Sequence, residues 1–190
     1  VSNINTSIDS VLLPTMSKAQ DNKEQVRAMT RKAIKTSVYI MAPLMMGLAF
    51  CSSNIVSIVL TDKWLSCVPF LIIFSITYMF YPIHTANLNA IKAMGRSDLF
   101  LKLETAKKVI GITLLLCTIR ISVMAMAYSV IVASILGQII NSWPNKKLLN
   151  YSYVQQLKDI LPSIILSVIM GVIVYCFNFL HIGKIVTLII

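Results

Sequence analysis

Long apolar runs separated by short polar segments dominate the chain. The runs cover residues 36–60, 66–91, 99–119, 122–143 and 160–180. At about 1.5 Å of rise per residue, each is long enough for a helix that crosses a hydrocarbon core of about 30 Å. Shorter apolar runs lie at both ends of the chain. The pattern predicts an all-α fold, a polytopic transmembrane helix bundle with about five complete spans and two partial ones.

The length of one run, two prolines and one polar segment refine this prediction. The stretch 99–143 is about twice too long for one span, so it is expected to form a helical hairpin that turns at residues 120–122. Pro82 is expected to bend the second span, and Pro43 is a candidate kink in the first. Residues 144–159 are polar but carry several leucines, which is typical of a helix at the membrane interface.

Composition supports a membrane protein without a soluble domain. The 190 residues are 57% hydrophobic and 13% charged, whereas soluble domains usually carry about 25% charged residues. The runs are also much longer than the roughly 10-residue alternating strands of a membrane barrel. Residues 1–190 are therefore interpreted as one portion of a helical bundle. Because the chain begins with Val1 and stops inside an apolar run, we expect it to be a fragment of a longer protein.

The distribution of basic residues predicts the orientation in the membrane. Alternate loops are expected to be rich and poor in Lys and Arg, because basic loops stay cytoplasmic. The loops and adjoining residues assigned to the cytoplasm hold Lys18, Lys23, Arg27, Arg31, Lys32, Lys35, Lys92, Arg96, Lys102, Lys107, Lys108, Lys146, Lys147 and Lys158. Those assigned outside hold Lys63, Arg120 and Lys184. This alternation predicts a multi-pass protein of the bacterial inner membrane, and it argues against nucleic-acid binding, which needs a basic recognition surface.

Polar side chains inside the runs form three stripes at helical spacing. One contains Lys102, Thr113 and Arg120, the second contains Thr77, Tyr81, His84 and Asn87, and the third contains Ser134, Gln138 and Asn141. Polar residues in spans often only join helices by hydrogen bonds. Three stripes on three helices instead favour a shared hydrated interior, so these residues are candidates to line a substrate cavity.

A further group of charges lies inside the third run. Glu104 precedes Lys107 and Lys108 by three and four residues, so it can pair with either on one helix face. Only about 16 Å of helix separates Lys108 from Arg120, which is less than the hydrocarbon thickness. Either the lysines snorkel with local pairing, or they line a water-filled cavity.

Nothing in the sequence predicts catalysis or a bound metal. The chain has no paired-carboxylate motif, no Ser/His/Asp arrangement with a suitable context, no phosphate-binding glycine loop and no HExxH motif. Its four cysteines lack metal-ligand spacing, and His84 has no obvious partner for a metal site or a proton relay. The sequence therefore predicts a protein that is not an enzyme and needs no cofactor.

Two segments carry a family resemblance. These are residues 87–111, which include Gly95-Arg96-Ser97-Asp98 and Lys107-Lys108, and residues 11–21, which include Pro14-Thr15-Met16-Ser17-Lys18. Together with Asp62-Lys63-Trp64-Leu65 and Val68-Pro69, they resemble the C-terminal half of bacterial lipopolysaccharide and polysaccharide exporters. These exporters are flippases within the multidrug/oligosaccharidyl-lipid/polysaccharide exporter superfamily.

The resemblance implies two helical bundles and a lipid-linked cargo. The expected function is translocation of an undecaprenyl-diphosphate-linked oligosaccharide for O-antigen, capsule or exopolysaccharide biosynthesis. Expected partners are that substrate, membrane lipids and other polysaccharide-assembly proteins. Arg96, Lys102, Glu104 and Lys108 are expected at structural or cavity-facing positions. Two alternatives remain: a cation-coupled multidrug exporter of the same superfamily, and a membrane scaffold that transports nothing.

Overall fold

The computed structural model describes the backbone of residues 2–179 and the side chains of residues 10–176. Within these residues the protein is a bundle of helices without β-strands, as predicted. The helices are α1 (Ser2–Lys18), α2 (Lys23–Phe50), α3 (Ser52–Val59), α4 (Val68–Met79), α5 (Tyr81–Ala93), α6 (Ser97–Thr118), α7 (Val123–Leu149) and α8 (Tyr153–Phe179). A short 3₁₀ helix, Asp62–Cys67, connects α3 to α4.

Four stretches of the described chain are long and apolar enough to cross a membrane. They are Lys23–Phe50, Asp62–Ala93, Val123–Leu149 and Tyr153–Cys176. Helix α6, which was expected to be a further span, is continuous over 22 residues. It is not among the four, and its first twelve residues include Asp98, Lys102, Glu104, Lys107 and Lys108. Its place as a fifth span stays a prediction.

The helices are interrupted near Pro82 and at residues 120–122, as the sequence predicted, but not at Pro43. The second span is interrupted at Phe80, so that Pro82 lies in the first turn of α5, where a missing N–H costs little. The hairpin turn lies where it was expected, and the Ser122 side chain accepts a hydrogen bond from the Ala125 N–H at 3.0 Å, which caps α7. Helix α2 instead runs through Pro43 and is interrupted only at Cys51.

The expected interfacial helix at residues 144–159 is wrong. Helix α7 continues through Pro144 to Leu149, and α8 begins at Tyr153. Asn150 adopts a left-handed conformation with φ 54°, which an asparagine side chain tolerates better than most residues. Buried polar contacts of Asn145 and Gln156 hold the ends of the two helices in the bundle, and these partners are not visible in a hydropathy pattern.

Helix α2 occupies the centre of the fold. It packs against α8, α4 and α5, while α1 packs on α5 and α6 pairs with α7. Fully buried apolar side chains from five helices form the core, among them Met16, Ile34, Met79, Ile83 and Ile160. The chain therefore assembles around one hydrophobic centre.

An ionic cluster joins α2 to α8. The Arg31 guanidinium donates to both oxygens of Asp159 at 2.6 Å, and Lys35 Nζ lies 3.2 Å from the same carboxylate. The Tyr151 hydroxyl donates to Asp159 at 2.9 Å. Burial and then this hydrogen bond raise the pKa of Tyr151. The Asp159 side chain is only 8% exposed, so the cluster fixes how the two helices meet at this end of the bundle.

The close approach of α2 and α8 at their other ends gives a stability prediction. Gly171 is buried, and a Cβ at this position would overlap the ring of Phe50. That ring also contacts Tyr175 edge-on, with centroids 6.3 Å apart. We expect Gly171→Ala to destabilise the intact protein by about 1–3 kcal/mol through overpacking, measured by thermal unfolding in detergent.

Gly111→Ala is the matched control, because a Cβ at Gly111 meets nothing within 4 Å. Alanine is favoured over glycine inside a helix by about 1 kcal/mol, so this variant should be neutral or stabilised. Equal unfolding temperatures for the two variants would contradict the packing described.

Candidate functional site

A polar cleft opens between α4, α5, α6 and α7. Its volume is about 330 Å³. It is lined by Thr77, Tyr78, Tyr81, His84, Glu104, Lys107, Lys108, Val130, Ala133, Ser134, Gly137 and Gln138. Two of the three predicted stripes, the one that contains His84 and the one that contains Gln138, therefore contribute to the same cleft. The charged side chains of Glu104, Lys107 and Lys108 on α6 also line it. The sequence did not predict this last convergence, because it depends on the angle at which α6 lies on its neighbours.

Of the charged residues Glu104, Lys107 and Lys108, Lys107 lies deepest in the cleft. Its Nζ is 2.5 Å from Glu104 Oε1 and 3.2 Å from His84 Nε2. The Lys107 side chain is only 12% exposed. Gly137 on α7 faces it, and a Cβ there would lie 3.4 Å from Lys107 Cδ. Helix α7 therefore packs closely against the stem of the lysine, which reaches across to His84 of α5.

His84 is held on both sides. Its Nδ1 lies 2.7 Å from Asn141 Nδ2, while Asn141 Oδ1 is buried and has no hydrogen-bond partner among the described residues. A neutral imidazole accepts at only one nitrogen, yet Asn141 Nδ2 and the Lys107 ammonium are both donors. Turning the Asn141 amide over removes this conflict, because Oδ1 then accepts from the Nδ1–H and Nε2 accepts from Lys107. His84 thus acts as a neutral acceptor that orients Lys107.

Two aromatic residues complete the surroundings of the cleft. The Tyr81 ring stacks on His84 with centroids 5.6 Å apart. The Tyr153 hydroxyl of α8 donates to Gln138 Oε1 at 3.1 Å, and Gln138 Nε2 reaches Ser134 at 3.4 Å. Tyr153 was not predicted as a site residue, because it belongs to a helix whose pattern shows no polar stripe.

Asn87 lies outside the cleft, in a fully buried hydrogen-bond network. Its Nδ2 donates to Gln156 Oε1 at 2.8 Å and to Ser142 Oγ at 3.1 Å. Its Oδ1 accepts from Asn145 at 2.7 Å and from Gln156 at 3.1 Å. Asn87, Asn145 and Gln156 are each 0% exposed. The network joins α5, α7 and α8, which is the helix-joining role that buried polar groups often have.

The stripe of Lys102, Thr113 and Arg120 does not reach the cleft. All three side chains are exposed, and the Thr113 hydroxyl donates to the Val109 carbonyl of its own helix. Their shared face of α6 points away from the cleft, as the spacing from Glu104 indicated. Whether this exposed face borders a substrate cavity stays a prediction.

Within the described residues, no group of three His, Cys, Asp or Glu side chains comes together as metal ligands would. The four cysteines are free thiols. The chemistry available in the cleft is that of ammonium, carboxylate, imidazole, amide and hydroxyl groups. Such groups can bind anions and sugar hydroxyls.

Comparison with known proteins connects this fold to polysaccharide biosynthesis. Residues 1–69 match the family described as "Polysaccharide biosynthesis protein". The lipopolysaccharide biosynthesis protein WzxC of Escherichia coli (strain K12) is 26% identical in an alignment of 182 positions that covers 90% of this chain and 36% of that protein. The teichuronic acid biosynthesis protein TuaB of Bacillus subtilis (strain 168) is 22% identical over 173 residues, with the same two shares.

A solved structure has the same arrangement of helices. The lipid II flippase MurJ, in an inward closed conformation, superposes with a TM-score of 0.74 at 20% identity, over 97% of this chain and 41% of MurJ. This chain is similar to polysaccharide biosynthesis proteins and shares the helical fold of a lipid II flippase. The chain spans 36% of the length of WzxC and of TuaB. In this fold the polar cleft lies among apolar helices, where polar groups at membrane depth are costly.

The Glu104–Lys107 pair gives a testable prediction. Glu104→Gln leaves the mostly buried Lys107 ammonium without its carboxylate, and a lost hydrogen bond to a charged group costs about 1.5–3 kcal/mol. We expect a matching loss of thermal stability in the purified intact protein. Replacing both partners, as in Glu104→Gln with Lys107→Met, removes the unpaired charge and should recover most of it. A double variant no more stable than the single one would contradict the pairing.

Proposed function

We propose that this chain forms part of a flippase that translocates undecaprenyl-diphosphate-linked oligosaccharide across the bacterial inner membrane. The cargo would serve O-antigen, capsule or exopolysaccharide biosynthesis. Support comes from relatives whose names refer to lipopolysaccharide and teichuronic acid biosynthesis, and from a fold shared with a lipid II flippase. We infer that the protein transports its substrate and does not transform it.

The polar cleft is the observation that carries this proposal. A glycan and its diphosphate cannot enter hydrocarbon unaided, because each unsatisfied polar group costs several kcal/mol. The cleft offers two lysines against one carboxylate, with hydroxyl and amide groups from Thr77, Ser134 and Gln138. A wet cleft with excess positive charge can attract a diphosphate while the lipid tail stays in the bilayer. Alternating access would then come from movement of one bundle against another.

The two alternatives are less well supported by the same geometry. A cation-coupled multidrug exporter needs acidic groups free to bind a cation, and Glu104 is engaged by Lys107 at 2.5 Å. A scaffold needs no open space between its helices. The Asn87 network fits a purely structural role, but an open cleft lined by two polar stripes and three charged side chains does not.

The partners follow from the proposed cargo. The substrate would enter with its tail in the membrane, so membrane lipids contact the protein throughout the cycle. Assembly proteins that build or polymerise the glycan would meet it on either side. We propose no cofactor and no nucleic-acid partner, because the polar groups described suffice to bind a charged lipid and no basic recognition motif is present.

Reversing one charge in the cleft tests the proposal. We expect Lys108→Glu in the intact protein to lower surface polysaccharide about tenfold or more, which corresponds to about 1.4 kcal/mol of lost interaction. Polysaccharide would be measured in the native host, with protein abundance and the lipid-linked intermediate measured alongside. The intermediate should accumulate inside the cell.

Lys63→Glu is the matched control. Lys63 is exposed in the 3₁₀ helix between α3 and α4, which is predicted to lie outside the cytoplasm, away from the cleft. It should change export less than about twofold, well under 1 kcal/mol. Lys102→Gln with Arg120→Gln asks separately whether the exposed face of α6 borders the path, and the cavity prediction for those residues expects reduced export. Normal export by Lys108→Glu at normal abundance would rule out the cleft as the substrate path.

A further inference from the structure

A second cleft lies at the end of the bundle where the α1–α2 and α7–α8 turns meet. Its volume is about 320 Å³, and its walls include Lys23, Glu24 and Arg27 of α2 with Lys147 of α7 and Asn150 of the α7–α8 turn. We call these five residues the rim site. Its basic residues come from two segments that are far apart in the sequence, so the fold brings them together.

Positive charge at the rim site is only partly compensated. Along one face of α2, Arg31 and Lys35 are both engaged by Asp159. Arg27 lies one turn before Arg31 and has no such carboxylate partner within 4.0 Å in the described part of the chain. The lining of the cleft therefore carries three basic residues and one carboxylate, Glu24. A preformed concave surface with this excess of positive charge suits a bound anion.

The surface of α7 shows what kind of anion fits. Ile135, Ile139 and Trp143 follow one another at intervals of four residues and are 47%, 45% and 65% exposed. Lys147 continues the same stripe, and its Nζ lies 5.2 Å from the Trp143 ring centroid. An exposed apolar face on a membrane-spanning helix suits contact with acyl chains, and tryptophan concentrates at headgroup level. The stripe thus passes from acyl-chain depth to the basic cleft within one helix face.

We propose that the rim site binds the phosphodiester headgroup of an anionic phospholipid of the cytoplasmic leaflet. The acyl chains lie along the exposed face of α7, and Lys23, Arg27 and Lys147 surround the phosphate. Basic pockets between helices on the cytoplasmic side are suited to such headgroups. Leu148 and Leu149, which also line the cleft, provide an apolar floor beneath the glycerol backbone. This site is separate from the polar cleft and does not depend on the proposed function.

Lipid binding to the purified intact protein tests the proposal. Native mass spectrometry would count bound phosphatidylglycerol and phosphatidylcholine for the wild type and for Lys23→Gln/Arg27→Gln/Lys147→Gln. We expect the wild type to prefer phosphatidylglycerol, and the triple variant to lose this preference at least fivefold. The charge-preserving variant Lys23→Arg/Arg27→Lys/Lys147→Arg should retain it, which separates a lost site from a misfolded protein.

The control removes the same net charge from the same side of the membrane, at exposed positions that do not line the rim site. In Lys18→Gln/Lys32→Gln/Lys158→Gln, phosphatidylglycerol binding should remain within about twofold of the wild type, equivalent to well under 1 kcal/mol. An equal loss in both triple variants would overturn the proposal, because only the overall surface charge would then matter. Displacement of the lipid by equimolar inorganic diphosphate would also overturn it, since the site would then recognise a free phosphate group.

Discussion

Every polar group that lies inside hydrocarbon must find its partner within the protein, and this requirement shapes the whole bundle. Asn87 illustrates it most clearly, since its amide is fully buried and bonded to groups of α7 and α8. Leaving such a group unpaired would cost free energy comparable to several apolar contacts. The network therefore fixes the mutual positions of α5, α7 and α8, and the polar cleft opens beside this fixed joint.

The polar cleft differs from the Asn87 network in what it leaves available. In the network, amides and hydroxyls bond mainly to one another, so their role is structural. In the cleft, His84 and Glu104 hold Lys107, whereas Lys108 is exposed. The ammonium group of Lys107 is held by its two partners, and the ammonium group of Lys108 lies at the edge of the cleft. Together they form a positively charged wall that is preorganised. Preorganised charge binds an anion without having to rearrange first.

The sequence predicted the local features well and the contacts between helices poorly. Hydropathy located the runs, the hairpin turn at Ser122 and the bend near Pro82, because each depends on neighbouring residues. The Asp159 cluster was missed, since Arg31 lies 128 residues away from it. Gln156 was missed for the same reason, since its partner Asn87 lies 69 residues away from it. Residues 144–159 were misread because short polar segments look alike whether they lie at an interface or extend two helices.

The polar stripes fall between these cases. Helical spacing identified which residues share a face, and Thr77, Tyr81, His84, Ser134 and Gln138 do line one cleft. Spacing alone gives no information on the rotation of one helix against the next. The stripe on α6 that contains Lys102 and Arg120 thus lies on an exposed surface, while Glu104 and Lys107 face inward. Tertiary packing decided between two faces that the sequence presented as equally polar.

The membrane orientation underlies all of these assignments, and cysteine accessibility measures it most directly. Single cysteines at positions 63 and 146, in an intact protein whose native cysteines are replaced, would be exposed to a membrane-impermeant maleimide in spheroplasts. We expect labelling at position 63 at once, and at position 146 only after the membrane is permeabilised. Immediate labelling at position 146 with none at position 63 would reverse the predicted orientation and overturn the assignments that rest on it.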